Sequence, residues 1–170
     1  LLKLKLAEKY GFHMLAPGYR DFDPKEFLAM LLQVCKDGTA RETIVILDTV
    51  KKFTDLMDKS KASGFTLVVR EFIRQGGTLI GLAHVNKKKA ADGKSVHAGT
   101  TDIKDDFDCV YIVDVVDKGR ESGTRVIEFN YEKRRGSVAD TVRFSYRVGN
   151  GVSYEEMLES VAIVEATESD

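Results

Sequence analysis

Two continuous apolar runs set the frame of this chain. Thr43-Ile-Val-Ile-Leu47 is β-branched and stops abruptly at Asp48-Thr49, and Thr78-Leu-Ile-Gly-Leu-Ala-His84-Val-Asn86-Lys87 follows about one helix later. Runs without alternation fit strands covered on both faces, so Ile44–Leu47 and Leu79–Val85 are predicted as neighbouring strands of a parallel sheet. A helix over roughly Gly64–Arg74 connects them, stopped by Gln75-Gly76-Gly77, and the polar stretch Lys51–Ser63 precedes it. Upstream, Asp23-Pro24-Lys25-Glu26 is a helix opening, with Asp as N-cap, Pro at the first helical position and Glu at the third. Phe27, Leu28, Leu31, Leu32 and Cys35 then form one helical face that ends near Gly38. Residues 1–10 read as the end of an amphipathic helix, Gly11 as its stop, and Phe12–Leu15 as a short strand.

After Lys87 the pattern changes. A polar basic loop, Lys87–Lys94, precedes three closely spaced strands predicted at about 109–116, 125–132 and 141–148. Turns at Lys118–Gly123 and Arg135–Asp140 join them as hairpins. Residues 154–164 suggest a short terminal helix or strap, and 165–170 a frayed acidic tail. Helix–strand alternation followed by hairpins gives an α/β fold: a mostly parallel sheet flanked by helices, with antiparallel strands at its C-terminal end. Residues 1–164 are expected to form one domain.

Composition narrows the class. With 170 residues, 43% hydrophobic and 31% charged, the chain resembles a soluble globular domain rather than a disordered segment. No apolar run approaches the ~18 residues of a membrane span. A net charge of −1 leaves no whole-chain attraction to nucleic acid or anionic lipid, so any such contact must be local. Cys35 and Cys109 lack metal-type spacing and read as reduced core thiols, which points to the cytoplasm. The Leu-Lys alternation of Leu1–Leu6 lacks the apolar centre of a signal peptide, and the missing initiator Met suggests a piece of a longer chain.

Candidate chemistry gathers at strand ends. A carboxylate at the tip of a buried strand, Asp48, can accept hydrogen bonds from magnesium-bound waters beside a nucleotide, and Thr49 can add a hydroxyl. The alternative is a turn residue closing a strand, common for Asp-Thr. His84 and Asn86, with Lys87, end the second strand, and ligands in open α/β sheets collect outside such carboxyl ends. Either side chain could bond a terminal phosphate or its attacking water, although a lone His at a strand end is often a satisfied structural group. A zinc site from His13, His84 and His97 has no supporting spacing. Lys133 and Arg135, before Gly136, could clamp the γ-phosphate of a nucleotide held by a neighbouring subunit; a solvated basic turn is the commoner use of such residues. Lys87, Lys88, Lys89 and Lys94 could contact phosphates of single-stranded nucleic acid, or simply form a flexible solvated loop without interleaved rings.

Taken together, Ile44-Val-Ile-Leu-Asp48, Gly77–Lys87, Gly99-Thr-Thr-Asp102 with Asp108-Cys-Val-Tyr-Ile-Val113, and Lys133-x-Arg135-Gly136 resemble, in order and spacing, the RecA-like core of hexameric helicase ATPases of the RepA/DnaB type. The likeness runs from about residue 1 to residue 150. It implies ATP hydrolysis with Mg2+, driving translocation on or remodelling of DNA by a ring of subunits, as in plasmid, phage or mobile-element replication proteins, sometimes fused to a primase. Asp48 would hold magnesium through water, His84 or Asn86 would sense the terminal phosphate, and Lys133 and Arg135 would reach the adjacent subunit's site. Loops around 52–61 and 87–98 would face a channel carrying single-stranded DNA. The chain departs from that family in one respect: no G-x-x-x-x-G-K-[ST] phosphate loop occurs in it, and the family's loop and catalytic Glu lie on strands upstream of these motifs. Alone, the chain is therefore expected to bind nucleotide poorly. The competing expectations are a non-catalytic RecA-fold binding or assembly module and a KaiC-like regulatory ATPase.

Overall fold

A computed structural model describes residues 9–18, 21–55, 58–86, 96–97, 105–118, 122–138 and 141–164. The chain divides into two compact units, one ending at Ala83 and the other beginning at His84. It is mixed α/β.

In the first unit, Asp23 opens the helical segment as its sequence suggests, accepting a hydrogen bond from the Lys25 amide at 2.9 Å with Pro24 at the first helical position. A 3-10 turn over Pro24–Glu26 runs into helix α1, Phe27–Lys36, and Gly38 leaves that helix at a φ of 71°. Strand β1, Ile44–Asp48, is followed by helix α2, Lys59–Arg74, and strand β2, Thr78–Leu82. Helix α2 starts earlier than apolar periodicity indicated because Asp58 caps it, accepting from the Ser60 and Lys61 amides at 3.0 and 3.1 Å. Strands β1 and β2 pair in parallel from Ile44 opposite Thr78 to Asp48 opposite Leu82.

One face of this pair is dry and the other is bare. Leu47 is 2% exposed and belongs to a core with Phe27, Leu31, Cys35, Val50, Phe65 and Phe72. The opposite face shows Ile44 and Ile46 at 67% and 53% exposure, with Ile80 and Leu82 nearly as open. Continuous apolar runs therefore do not correspond to two covered faces here. Phe12, Met14 and Leu15, expected as a strand, form none and are exposed. Burial pushes the Cys35 thiol up, in keeping with a reduced core cysteine, and both cysteines are free thiols.

The second unit begins with β3, Val85–Asn86, paired antiparallel with β4, Val96–His97. Its main body is a four-stranded antiparallel sheet in the order β5, Val110–Asp117; β6, Thr124–Lys133; β7, Thr141–Arg147; and β8, Ala162–Val164. The three predicted C-terminal strands agree with β5, β6 and β7 to within a residue or two. Helix α3, Tyr154–Glu159, opens with a Ser153–Glu156 capping box, and β8 closes the meander where a continuous helix or strap was expected. Parallel pairing among the described residues is confined to β1 and β2, so the sheet there is not mostly parallel. The helix predicted for 1–10, apart from its last two residues, and the tail 165–170 lie outside the described residues.

A close approach fixes the entry to β2. A Cβ added at Gly77 would stand 2.3 Å from the Phe72 ring, and Phe72 is 0% exposed. Gly77→Ala should lower unfolding stability by about 1–3 kcal/mol through overpacking, read as a reduced urea midpoint at unchanged m. Adding Phe72→Leu to that variant should recover part of the loss, because the ring is what the new methyl meets. No recovery would place the strain in the backbone instead.

The end of α2 carries a marked electrostatic effect. Glu71 accepts from Arg74 Nε and Nη2 at 2.8 and 2.7 Å and from Gln75 Nε2 at 2.6 Å. The Arg74 and Gln75 hydrogen bonds hold its carboxyl down to about 2, against an unfolded value of about 4.3. Because the folded value is the lower one, its stabilisation is complete above the unfolded value and drains away as pH falls toward 2. Urea midpoints followed from about pH 5 to pH 2 should therefore fall less steeply in Glu71→Gln than in the parent.

Candidate functional site

The carboxyl end of β1 is where sequence pattern and structure converge. Strand alternation sends Leu47 and Thr49 toward the buried side and Asp48 to the bare face, where its carboxylate is exposed. The chain then turns through a 3-10 segment, Val50–Lys52, closed by Lys52 N–H to the Thr49 carbonyl and Phe53 N–H to the Val50 carbonyl, both at 2.9 Å. Val50 is 4% exposed and Phe53 meets Phe27 edge to face with centroids 4.9 Å apart, so the turn is anchored from below. The Asp48–Thr49 peptide bond is cis.

Two polar groups at this turn are unusual. Thr49 is 7% exposed, and its Oγ1 is buried with no hydrogen-bond partner among the described residues. Lys52 folds back so that its Nζ donates to the Asp48 carbonyl oxygen at 2.7 Å. Lys52 stands at the start of the loop around 52–61 that the resemblance sets facing a channel; its contact with the Asp48 carbonyl, four residues back across a turn, is a signal visible only once the turn is known. The tip thus holds a free carboxylate, an orphaned hydroxyl and an ammonium within one turn.

The other expected site residues fall elsewhere. Strand β2 ends at Leu82, which stands opposite Asp48, so His84 and Asn86 are not the tip of that strand. His84 is exposed at the start of the second unit, and Asn86 pairs through β3 with Val96 of β4. Ala83 and His84 belong to neither ladder, and a separate antiparallel pairing starts at Val85. Lys87, Lys88, Lys89 and Lys94, and the Gly99–Asp102 motif, lie outside the described residues.

Lys133 is the last residue of β6, and Arg135 lies beyond it in the bend before Gly136, whose φ is 83°. Strand periodicity therefore does not align the two. They still reach the same segment: Lys133 Nζ donates to the Asp105 carbonyl, and Arg135 Nη1 pairs with Asp108 Oδ1 at 2.9 Å. Both partners of the Arg135 pair are about 60% exposed, so the contact contributes little to stability and can exchange for another anion. Between them, the Arg134 guanidinium lies 4.9 Å from the Tyr131 ring centroid.

Chemically, the β1 tip suits a hydrated cation better than a fully protein-ligated one. No group of three or more His, Cys, Asp or Glu side chains poised for a metal occurs among the described residues. Magnesium is commonly held by one or two carboxylates together with waters and substrate phosphates, and the exposed Asp48 carboxylate fits that mode, whereas the buried Thr49 hydroxyl does not. No helix among the described residues is long and apolar enough to cross a membrane. No protein-family model matches this chain, and no curated protein matches it.

Proposed function

We propose that this chain is the C-terminal portion of a RecA-like, ATP-hydrolysing motor domain of the replicative helicase or helicase-primase kind, acting on DNA. The observation that carries the reading is Asp48: an exposed carboxylate at the carboxyl end of a parallel strand. Magnesium, when bound, would supply positive charge against the nucleotide's phosphates. The exposed Asp48 carboxylate would hold the ion through water, and the Thr49 hydroxyl, buried on the other side of the strand, stays outside that shell. Lys52 holds the strand end in place through the Asp48 carbonyl. Lys133 and Arg135 serve a neighbouring subunit's nucleotide in a ring, hexameric by resemblance, after Arg135 leaves Asp108. Lys87, Lys88, Lys89 and Lys94 would meet single-stranded DNA in the channel. A cytoplasmic location accords with this role.

A second reading is a RecA-fold module that assembles or regulates without hydrolysing ATP. A KaiC-like regulatory ATPase stands between the two. Magnesium-dependent ATP turnover of the full gene product separates them. Asp48→Ala should lower turnover by roughly two orders of magnitude, the scale of losing one preorganised charge-stabilising group, while the urea midpoint stays near the parent's. Turnover unchanged by Asp48→Ala removes the β1 tip from the chemistry. Turnover absent in the parent leaves the assembly module, and turnover indifferent to single-stranded DNA leaves the regulatory ATPase.

A further inference from the structure

The four-stranded sheet of the second unit sorts its charges by face. Residues paired across an antiparallel ladder share a face, so the registers of β5, β6, β7 and β8 define both sides. One side carries the strand acids Asp114, Asp117, Glu128 and Glu132, with Arg143 Nε bonded to Glu128 Oε2 at 2.6 Å. The other side carries no carboxylate among its described strand residues. Its charged groups are cations at opposite ends of β6, Arg125 and Lys133.

Between these cations lie five aromatic rings. Tyr111 and Tyr131 face each other across β5 and β6, Phe129 and Phe144 meet edge to face at 5.6 Å, and Tyr146 stands opposite Arg125. None of the five is buried; Tyr131 is 43% exposed, and the aliphatic Val113 beside Phe129 is 44% exposed. The Arg125 guanidinium lies 5.9 Å from the Tyr146 ring, and its Nε is buried with no hydrogen-bond partner among the described residues. Arg134 adds a third cation over Tyr131. From Arg125 to Lys133 the tract spans about 26 Å at ~3.3 Å per residue.

We propose that this face binds single-stranded nucleic acid, with bases stacked on the tyrosine and phenylalanine rings and phosphates against Arg125, Lys133 and Arg134. The proposal does not rest on the ATPase reading: Arg125 and the rings have no part in that reading, and of the residues used here only Lys133 figures in both. Every base offers a π-face to a ring, and a single strand brings an anion to each cation of the tract. The charge sorting therefore selects a polyanion that also presents flat apolar surfaces.

The test is anisotropy of labelled oligothymidylate and oligouridylate strands titrated with the full chain, with duplex DNA as competitor and salt as a variable. Tyr131→Leu keeps the apolar volume and removes the ring, and should weaken binding roughly 5- to 150-fold, the range for losing one stacked base. Arg125→Gln with Lys133→Gln should reduce the slope of log affinity against log salt by about 1.4, at about 0.7 per cation. Arg147→Gln, on the acidic side, should leave that slope unchanged. The urea midpoint of each variant establishes that it is folded. The proposal is overturned by absence of saturable binding at low salt, or by binding that ignores Tyr131→Leu and Arg125→Gln. It is equally overturned if exchanging Lys87, Lys88 and Lys89 for Gln abolishes binding that the face variants leave intact. Self-association lost on Tyr131→Leu, without strand binding, would assign the face to a second copy.

Discussion

Packing of Phe72 against Gly77 is the constraint on which the first unit depends. The ring occupies the space where a side chain on the residue before β2 would sit, so helix α2 and strand β2 approach at backbone distance. That approach sets the level of β2 beside β1, and the register carries it on to Asp48 opposite Leu82. Phe65, Leu47 and Phe27 continue the same dry layer, and Phe53 holds the turn beyond Asp48 against Phe27. The carboxylate at the strand tip is therefore placed by aromatic packing on the opposite side of the strand. Its own polar neighbours contribute one hydrogen bond, from Lys52 to its carbonyl.

Much of this was legible in the sequence because the signals were local. Asp23-Pro24 states its own cap, β1 states its length by ending in Asp-Thr, and the three C-terminal strands are bracketed by turn residues. Other signals were non-local and failed accordingly. The apolar run through Val85 gave no sign that the ladder stops at Leu82, because hydrophobicity does not distinguish one pairing partner from another. The same limit applied to burial: Ile44, Ile46, Ile80 and Leu82 read as doubly covered, and one face is bare. Asp58 as a helix cap was hidden in a polar stretch whose periodicity is weak. At the candidate site, Asp48 and Thr49 were readable as types at a strand end, whereas the orphaned Thr49 hydroxyl and the returning Lys52 follow from the turn.

The two units use polar groups differently. In the first, charge is spent on ends: Asp23 and Asp58 at helix starts, Glu71 with Arg74 at a helix finish. In the second, charge is distributed over surfaces, with an acidic sheet face whose Glu128–Arg143 contact crosses strands. Lys133 and Arg135 belong to both habits. They tie the strand end to Asp105 and Asp108 through contacts exposed enough to be replaced by another anion.

The bare side of the β1–β2 pair has a colloidal consequence. Both strands have an unpaired outer edge among the described residues, and Thr43–Leu47 is an uncharged, β-branched stretch without proline. Such a segment templates strand addition by other chains. Asp48 stands at its end on the exposed side, where a negative charge interrupts stacking of like strands. The residue that marks the candidate site is thus also the chain's gatekeeper against self-templating, and the two roles call for the same exposed carboxylate.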